Sequence, residues 1–203
     1  MKPNDIETLS FQIIDSEAGP HGFSPPQWEI VRRMIHTSAD FEYMQTVYFH
    51  PRAVDTGLAA LKKGCPIVTD TNMALAGIRK TDLLKLGGKA RCLMGDADVA
   101  AQAAVLGTTR AEVAVDKAAG DMDGGIWVVG NAPTALLRLV DLIEDGQIRP
   151  ALIVGLPVGF VNAAESKEAL RRTGAVCITN TGRKGGSNVA AAVVNALIKM
   201  ALR

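Results

Sequence analysis

Aromatic residues are scarce: Phe, Trp and Tyr make up 4% of the 203 residues. A chain this long can bury a sizeable core, which must then rest on Val, Ile, Leu, Ala and Met. Small side chains of that kind suit helices lying close on a sheet. Cysteine is scarce too, and Cys65, Cys92 and Cys177 stand far apart with no CxxC pair. That excludes a disulfide scaffold. Cys92 and Cys177 fall inside apolar runs, so the cysteines read as buried free thiols, and a reducing cytoplasm follows as the expected compartment. Long hydrophobic runs are missing. The longest nearly uncharged stretch, Ser187 to Ile198, has the length of a buried helix and is too short to span a bilayer, and the first residues lack the apolar core of a signal peptide. Neither charge sign dominates: 22 Lys and Arg oppose 21 Asp and Glu, a net charge of +1. No global field draws nucleic acid or an anionic membrane, so an anionic ligand must be held by a few placed basic groups. Of the three histidines, His21, His36 and His50, no pair has the spacing of zinc ligands, and no metal site is expected.

From residue 65 onward a short apolar run, a polar or glycine turn and a helical stretch recur. The runs are Pro66–Thr69, Ala90–Met94, Ile126–Val129, Ala151–Val154 and Ala175–Thr179. Most are short and β-branched, as strands buried on both faces are. Amphipathic stretches lie between them, such as Thr134 to Glu144 with Leu136, Leu137, Val140 and Ile143 at helical spacing. Strands alternating with helices predict right-handed βαβ units. The expected fold is α/β: a three-layer α/β/α sandwich around a five-stranded parallel sheet in flavodoxin-like order 2-1-3-4-5. With no composition shift and no repeat, residues 1–203 read as one domain, residues 1–64 being a mainly helical segment packed on the α/β core. In that segment Ser10–Ile14 and Thr46–Phe49 each read as one short extended or helical piece. Ser24-Pro25-Pro26-Gln27 reads as a helix start, with a capping serine, a first-turn proline and a capping-box glutamine. A further helix is expected from Ala53 to Lys63, stopped by Gly64.

Ligands of open α/β sheets bind beyond the carboxyl ends of the strands. Those ends are followed by Asp70-Thr71-Asn72-Met73, Gly95-Asp96, Gly130-Asn131-Ala132-Pro133, Gly155-Leu156-Pro157-Val158 and Asn180 to Ser187. The last loop, Gly182-Arg-Lys-Gly-Gly-Ser187, opens onto the C-terminal helix. Its glycines allow backbone N–H groups to approach an anion at the helix N-terminus, and Arg183 can grip a carboxylate or phosphate bidentately. An ordinary turn with two solvated cations is the equal alternative. Neither the Walker A order nor G-x-G-x-x-G is met, so ATP and NAD are weakly supported. Asn131 is a candidate cap for the helix that follows it. His36, at a helix end beside Thr37 and Ser38, is a candidate acid–base group whose ordinary pKa lies near neutrality. Glu165-Ser-Lys-Glu168 reads as a charged helix face without chemistry.

Five segments together resemble the precorrin-8X methylmutase family along nearly the whole chain. They are Arg33-Met-Ile-His-Thr-Ser-Ala-Asp40, Ala60–Asp70, Val129-Gly-Asn-Ala-Pro-Thr-Ala-Leu136, Gly155–Lys167 and Gly182–Ser187. The resemblance implies a flavodoxin-like fold, a homodimer, no separate cofactor and a corrinoid substrate. It implies a 1,5-sigmatropic shift of a methyl group from C11 to C12 of the macrocycle, giving hydrogenobyrinate or, with cobalt present, cobyrinate. Mapped residue by residue, His36 becomes the catalytic acid. The mapping adds Arg110, Ser10 and Thr37 as substrate-binding residues; with Asn72, Met73 and Asn131 from the strand ends and Arg183, Lys184, Gly185 and Gly186 from the glycine loop they make up the expected substrate-binding set, Lys184 standing where the family pattern varies. Met73, Leu156 and Val158 are candidates for an apolar floor under the ring. Two rival readings remain: a module that binds a tetrapyrrole without chemistry, and a flavin or nucleotide protein using the Gly182–Ser187 loop.

Overall fold

The computed structural model describes residues 3–203, with side chains from Asp5 onward. The chain begins with α1 (Pro3–Ala18), α2 (Pro25–Ser38), α3 (Tyr43–Thr46), β1 (Val47–Phe49) and α4 (Ala53–Lys62). It continues through β2 (Pro66–Thr69), α5 (Asn72–Gly77), α6 (Lys80–Lys85), β3 (Lys89–Cys92), α7 (Ala97–Leu106) and α8 (Arg110–Ala119). It closes with β4 (Ile126–Val129), α9 (Pro133–Glu144), β5 (Leu152–Gly155), α10 (Ala163–Arg172), β6 (Cys177–Asn180) and α11 (Ser187–Ala201).

The six strands form one sheet in the order β1-β6-β5-β4-β2-β3. The five strands from β2 to β6 are parallel and take the expected 2-1-3-4-5 order. The expectation of a purely parallel, five-stranded sheet needs one correction. β1 adds a sixth strand, antiparallel to β6, with Val47 opposite Asn180 and Phe49 opposite Ile178. Three residues are too few to carry an alternating pattern, and the edge of β6 supplies the pairing that makes Val47–Phe49 a strand.

Side chains alternate across the sheet. Ile67, Ile126, Val128, Leu152, Val154 and Ile178 meet α2, α4, α6 and α11 on one face. Val68, Trp127, Val129, Ile153 and Cys177 meet α8, α9 and α10 on the other. Each aliphatic chain buried this way contributes on the order of 1.5–3 kcal/mol. α7 packs on α8 rather than on the sheet. α1 likewise lies on α2 through Ile14, Val31 and Ile35, adding a partial outer layer to the expected three.

The α2 entry follows its sequence: the Ser24 N–H donates to Gln27 Oε1 at 3.0 Å. The helix ends on Ala39, a non-glycine residue in the left-handed region at φ 53°, whose N–H bonds the Ile35 carbonyl at 2.7 Å. Ion pairs from Arg203 to Glu29 (2.5 Å) and from Lys199 to Glu7 (3.7 Å) lay the C-terminal end of α11 against the start of α2 and against α1. α11 and α2 are therefore antiparallel. The C-terminal end of α2, with His36, lies by the start of α11 at the carboxyl edge of the sheet.

Candidate active site

His36 occupies the last turn of α2, and its Nδ1 lies 2.8 Å from the hydroxyl oxygen of Ser10 on α1. Phe11 meets the imidazole edge-on at 5.3 Å between ring centroids. These two contacts orient the ring through one nitrogen and one aromatic contact, so Nε2 is the nitrogen left for a ligand. The ring stands between two grooves. The first, about 430 Å³, runs between α1 and α2 and is mainly apolar, with Ile6, Leu9, Ile13 and Phe41 in its walls. The second, about 250 Å³, is bounded by Arg33, Thr37, Gly77, Asn188, Ala191 and Asn195. Arg33 sits one turn before His36 and pairs with Glu7 at 2.9 Å. Burial pushes the Glu7 carboxyl up, but Arg33 and Lys199 outweigh it and hold the group below its ordinary range.

The topological switch point lies between β2 and β4, and Asp70 fills it. Its buried carboxylate accepts the backbone N–H groups of Gly130 (2.9 Å), Asn131 (2.7 Å) and Ala132 (2.7 Å). Burial raises the Asp70 pKa against the pull of these three donors. The expected cap role of Asn131 is corrected here: Ala132 is the N-cap of α9, and the carboxylate capping the turn arrives from β2. Beside it the Thr71 and Ser187 hydroxyls meet at 2.8 Å, tying the end of β2 to the start of α11. A Cβ on Gly130 would meet Ser187 Cα at 2.6 Å, so glycine is what lets β4 and α11 approach this closely.

The glycine loop differs in detail from its sequence reading. The Gly186 N–H is spent on the Leu156 carbonyl at 2.9 Å, and Gly186 is buried. Gly185 is needed because a Cβ there would overlap the Leu156 carbonyl oxygen and come within 2.6 Å of the Pro157 one. These glycines seat the loop on the 156–157 backbone. Arg183 is exposed, with its guanidinium 5.4 Å from the Phe160 ring centroid. Lys184 is not a loose cation: its ammonium pairs with Asp40 at 2.6 Å and Glu42 at 2.8 Å, just past the end of α2. Those bonds raise the lysine pKa, and the same bond to Lys184 lowers that of Asp40.

Of the expected site residues, His36, Ser10 and Thr37 gather around the two grooves. Asn72 and Met73 open α5 and are exposed, Met73 by 71%. Arg110 opens α8 on the opposite helix layer, near Thr134 through the Thr109–Thr134 hydroxyl contact at 3.0 Å. Asn72, Arg110, Asn131 and Arg183 are absent from the walls of both grooves. Leu156 is fully buried and cannot be a floor, whereas Val158 is exposed.

The larger omission is Lys167. The segment Glu165–Glu168 is not one solvated face, because Ser166 and Lys167 are buried to 0% and 1% exposure. Ala163, Ser166, Lys167 and Leu170 share the inward face of α10, and their 3–4 spacing carries that signal. The Lys167 ammonium donates to Asn180 Oδ1 at 3.0 Å and to the Lys184 carbonyl at 2.8 Å. Burial pushes its pKa down to about 8. Burial also pushes the Cys65 and Cys177 thiols up, to about 11 and about 12, which makes them poor nucleophiles. Cys92 is the half-buried one of the three free thiols.

Among the described residues, no group of three or more His, Cys, Asp or Glu side chains is placed to hold a metal ion. Among them, no helix is long and apolar enough to cross a membrane.

Comparison with known proteins gives a consistent result. A family model described as precorrin-8X methylmutase matches residues 5–200. A cobalt-precorrin-8 methylmutase of Priestia megaterium is 47% identical over 197 residues, covering 97% of this chain and 88% of the relative. A precorrin-8X methylmutase of Pseudomonas aeruginosa is 40% identical over 194 residues, covering 95% and 93%. The crystal structure of precorrin-8X methyl mutase from Thermus thermophilus superposes with a TM-score of 0.90 at 46% identity, covering 97% of each chain.

Proposed function

We propose that this chain, which belongs to the precorrin-8X methylmutase family, moves a methyl group from C11 to C12 of precorrin-8X or its cobalt form, with His36 as the acid. It is an isomerase of cobalamin synthesis. The shift breaks one carbon–carbon bond and makes another within the same molecule, so it calls for no hydride, nucleophile or co-substrate. What the protein must supply is the right ring tautomer, held in one pose. His36 Nε2 serves the first need by donating a proton or hydrogen bond to a macrocycle nitrogen, while Ser10 fixes Nδ1. The apolar groove between α1 and α2 serves the second by taking an edge of the ring. Arg183 and the polar ends of β2 and β4 are the partners for the acetate and propionate groups. The observation that carries the reading is an imidazole held at 2.8 Å by Ser10 at the junction of two grooves.

The protein acts as a cytoplasmic homodimer in this reading. Three free thiols suit a reducing compartment. Phe160 and Val161, exposed by 86% and 77%, offer the apolar surface a second copy would cover.

Anaerobic incubation with precorrin-8X, in parallel with its cobalt form, tests the activity through visible spectra. Conversion to hydrogenobyrinate or cobyrinate is expected, and the faster form identifies the substrate. His36→Ala is expected to lose turnover and keep product binding. Tight binding of both forms by the unmutated protein without conversion would replace the enzyme by a binding module.

A further inference from the structure

Lys167 is buried, and among the described residues its ammonium has no ion-pair partner, burial being the one cause of its lowered pKa. Holding an ammonium in such a place is costly, and an apolar side chain would fill the gap between Ala163 and Leu170 at less expense. Its two acceptors are neutral and belong to the structures that build the site: Asn180 at the end of β6 and the Lys184 carbonyl in the glycine loop. Asn180 Nδ2 donates to that same carbonyl at 2.9 Å and to Thr181 O at 3.1 Å. The Lys184 backbone is therefore pinned by two N–H donors from inside the fold.

The Lys184 side chain leads to α2. Its ammonium grips Asp40 and Glu42 at 2.6 and 2.8 Å. The Asp40 N–H in turn reaches Ser38 Oγ at 3.3 Å, and that hydroxyl donates to the Met34 carbonyl at 2.7 Å. Hydrogen bonds joined through the Lys184 side chain and through Asp40 thus connect Lys167 to the turn of helix that carries His36.

We propose that Lys167 is a positioning residue: by fixing the Lys184 backbone it lets the Lys184 ammonium hold the His36 end of α2 in register with the Arg183 loop. The proposal rests on the reading of His36 and Arg183 given above. It assigns Lys167 and Lys184 to the geometry of the reaction, not to contact with the substrate.

A double-mutant cycle between Lys167→Met and Asp40→Asn tests it, because Lys167 bonds the Lys184 carbonyl and Asp40 bonds the Lys184 ammonium. Each single change is expected to lower kcat on the order of tenfold through misplacement of His36. The double variant should be no slower than the worse single one, since both changes weaken the same Lys184 link. Losses that multiply to about a hundredfold would mean independent sites and overturn the proposal. Should Lys167→Met fail to fold, the same cycle is run with Lys184→Met, a change at an exposed side chain. Unmutated turnover in that variant would overturn the proposal as well. His36→Ala and Arg183→Ala are measured alongside. If both convert substrate at the full rate, the site reading itself falls and takes the relay with it; if both fail and the cycle multiplies, only the relay falls.

Discussion

The Ser10 hydroxyl and the His36 Nδ1, 26 residues apart in sequence, meet at 2.8 Å where α1 crosses α2. α1 has no place in the sheet sandwich and rests on α2 through Ile14, Val31 and Ile35. That packing brings Ser10 to one ring nitrogen and Phe11 to the ring, and makes α1 a wall of the larger groove.

Ser10→Ala should therefore lower kcat while leaving product affinity within a few-fold of normal. Loss of an orienting hydrogen bond of about 1 kcal/mol predicts roughly a five- to tenfold drop in turnover. Steady-state conversion and product titration separate the two quantities. An unchanged kcat would show that the ring is held by Phe11 alone.

Asp70→Asn probes the switch point. An amide carries one acceptor oxygen, so its NH₂ would face at least one of the N–H groups of Gly130, Asn131 and Ala132. A loss of about 1–3 kcal/mol in stability is expected, seen as a lower denaturant midpoint, together with weaker product binding. Full stability in the variant would mean that α9 does not depend on this cap.

Gly185→Ala and Gly182→Ala form a matched pair. The first places a Cβ against the Leu156 and Pro157 carbonyl oxygens, both backbone atoms that yield only if the loop moves. The second meets nothing within 4 Å and carries only the left-handed penalty at φ 76°, about 1 kcal/mol. Gly185→Ala should weaken product binding by tenfold or more on the scale of about 1–3 kcal/mol for overpacking, and by more than Gly182→Ala does. Equal effects of the two would place the importance of Gly185 elsewhere than in close backbone approach.

Lys167 gives stability a distinct pH signature. Its pKa is about 8 in the folded protein and ordinarily 10.5, so between those values the unfolded chain holds a proton that the folded chain has released. The cost of the buried charge is full below about pH 8 and fades as pH rises through the window, so this residue makes stability climb toward alkaline pH. Urea unfolding at about pH 7.5 and about pH 10 should show the unmutated protein gaining relative to Lys167→Met. Parallel curves for the two proteins would mean that the folded lysine titrates normally.

Much of this architecture was legible from side-chain spacing. β-branched runs placed the five parallel strands to within two residues, because strands buried on both faces are continuous apolar segments. Ser24, Pro25 and Gln27 placed the start of α2, and hence the turn on which His36 sits, because capping chemistry is local. The spacing of Ala163, Ser166, Lys167 and Leu170 also held the burial of α10, but the charge of Lys167 pointed the other way.

What the sequence determined by itself is what depends on near neighbours along the chain: the alternation of strands and helices from residue 65 onward, and the set of polar residues that follow the strands. Tertiary structure alone decided which of those residues are bound up in the fold's own contacts. Lys184 became a clamp on Asp40 and Glu42, more than 140 positions away. The Gly186 N–H went to Leu156, and Asp70 took over the cap of a helix 60 residues downstream. The physical reason is common to all three. A polar group settles on whichever partner the fold brings within reach in space, and no local pattern in the chain says which distant group will arrive to meet it.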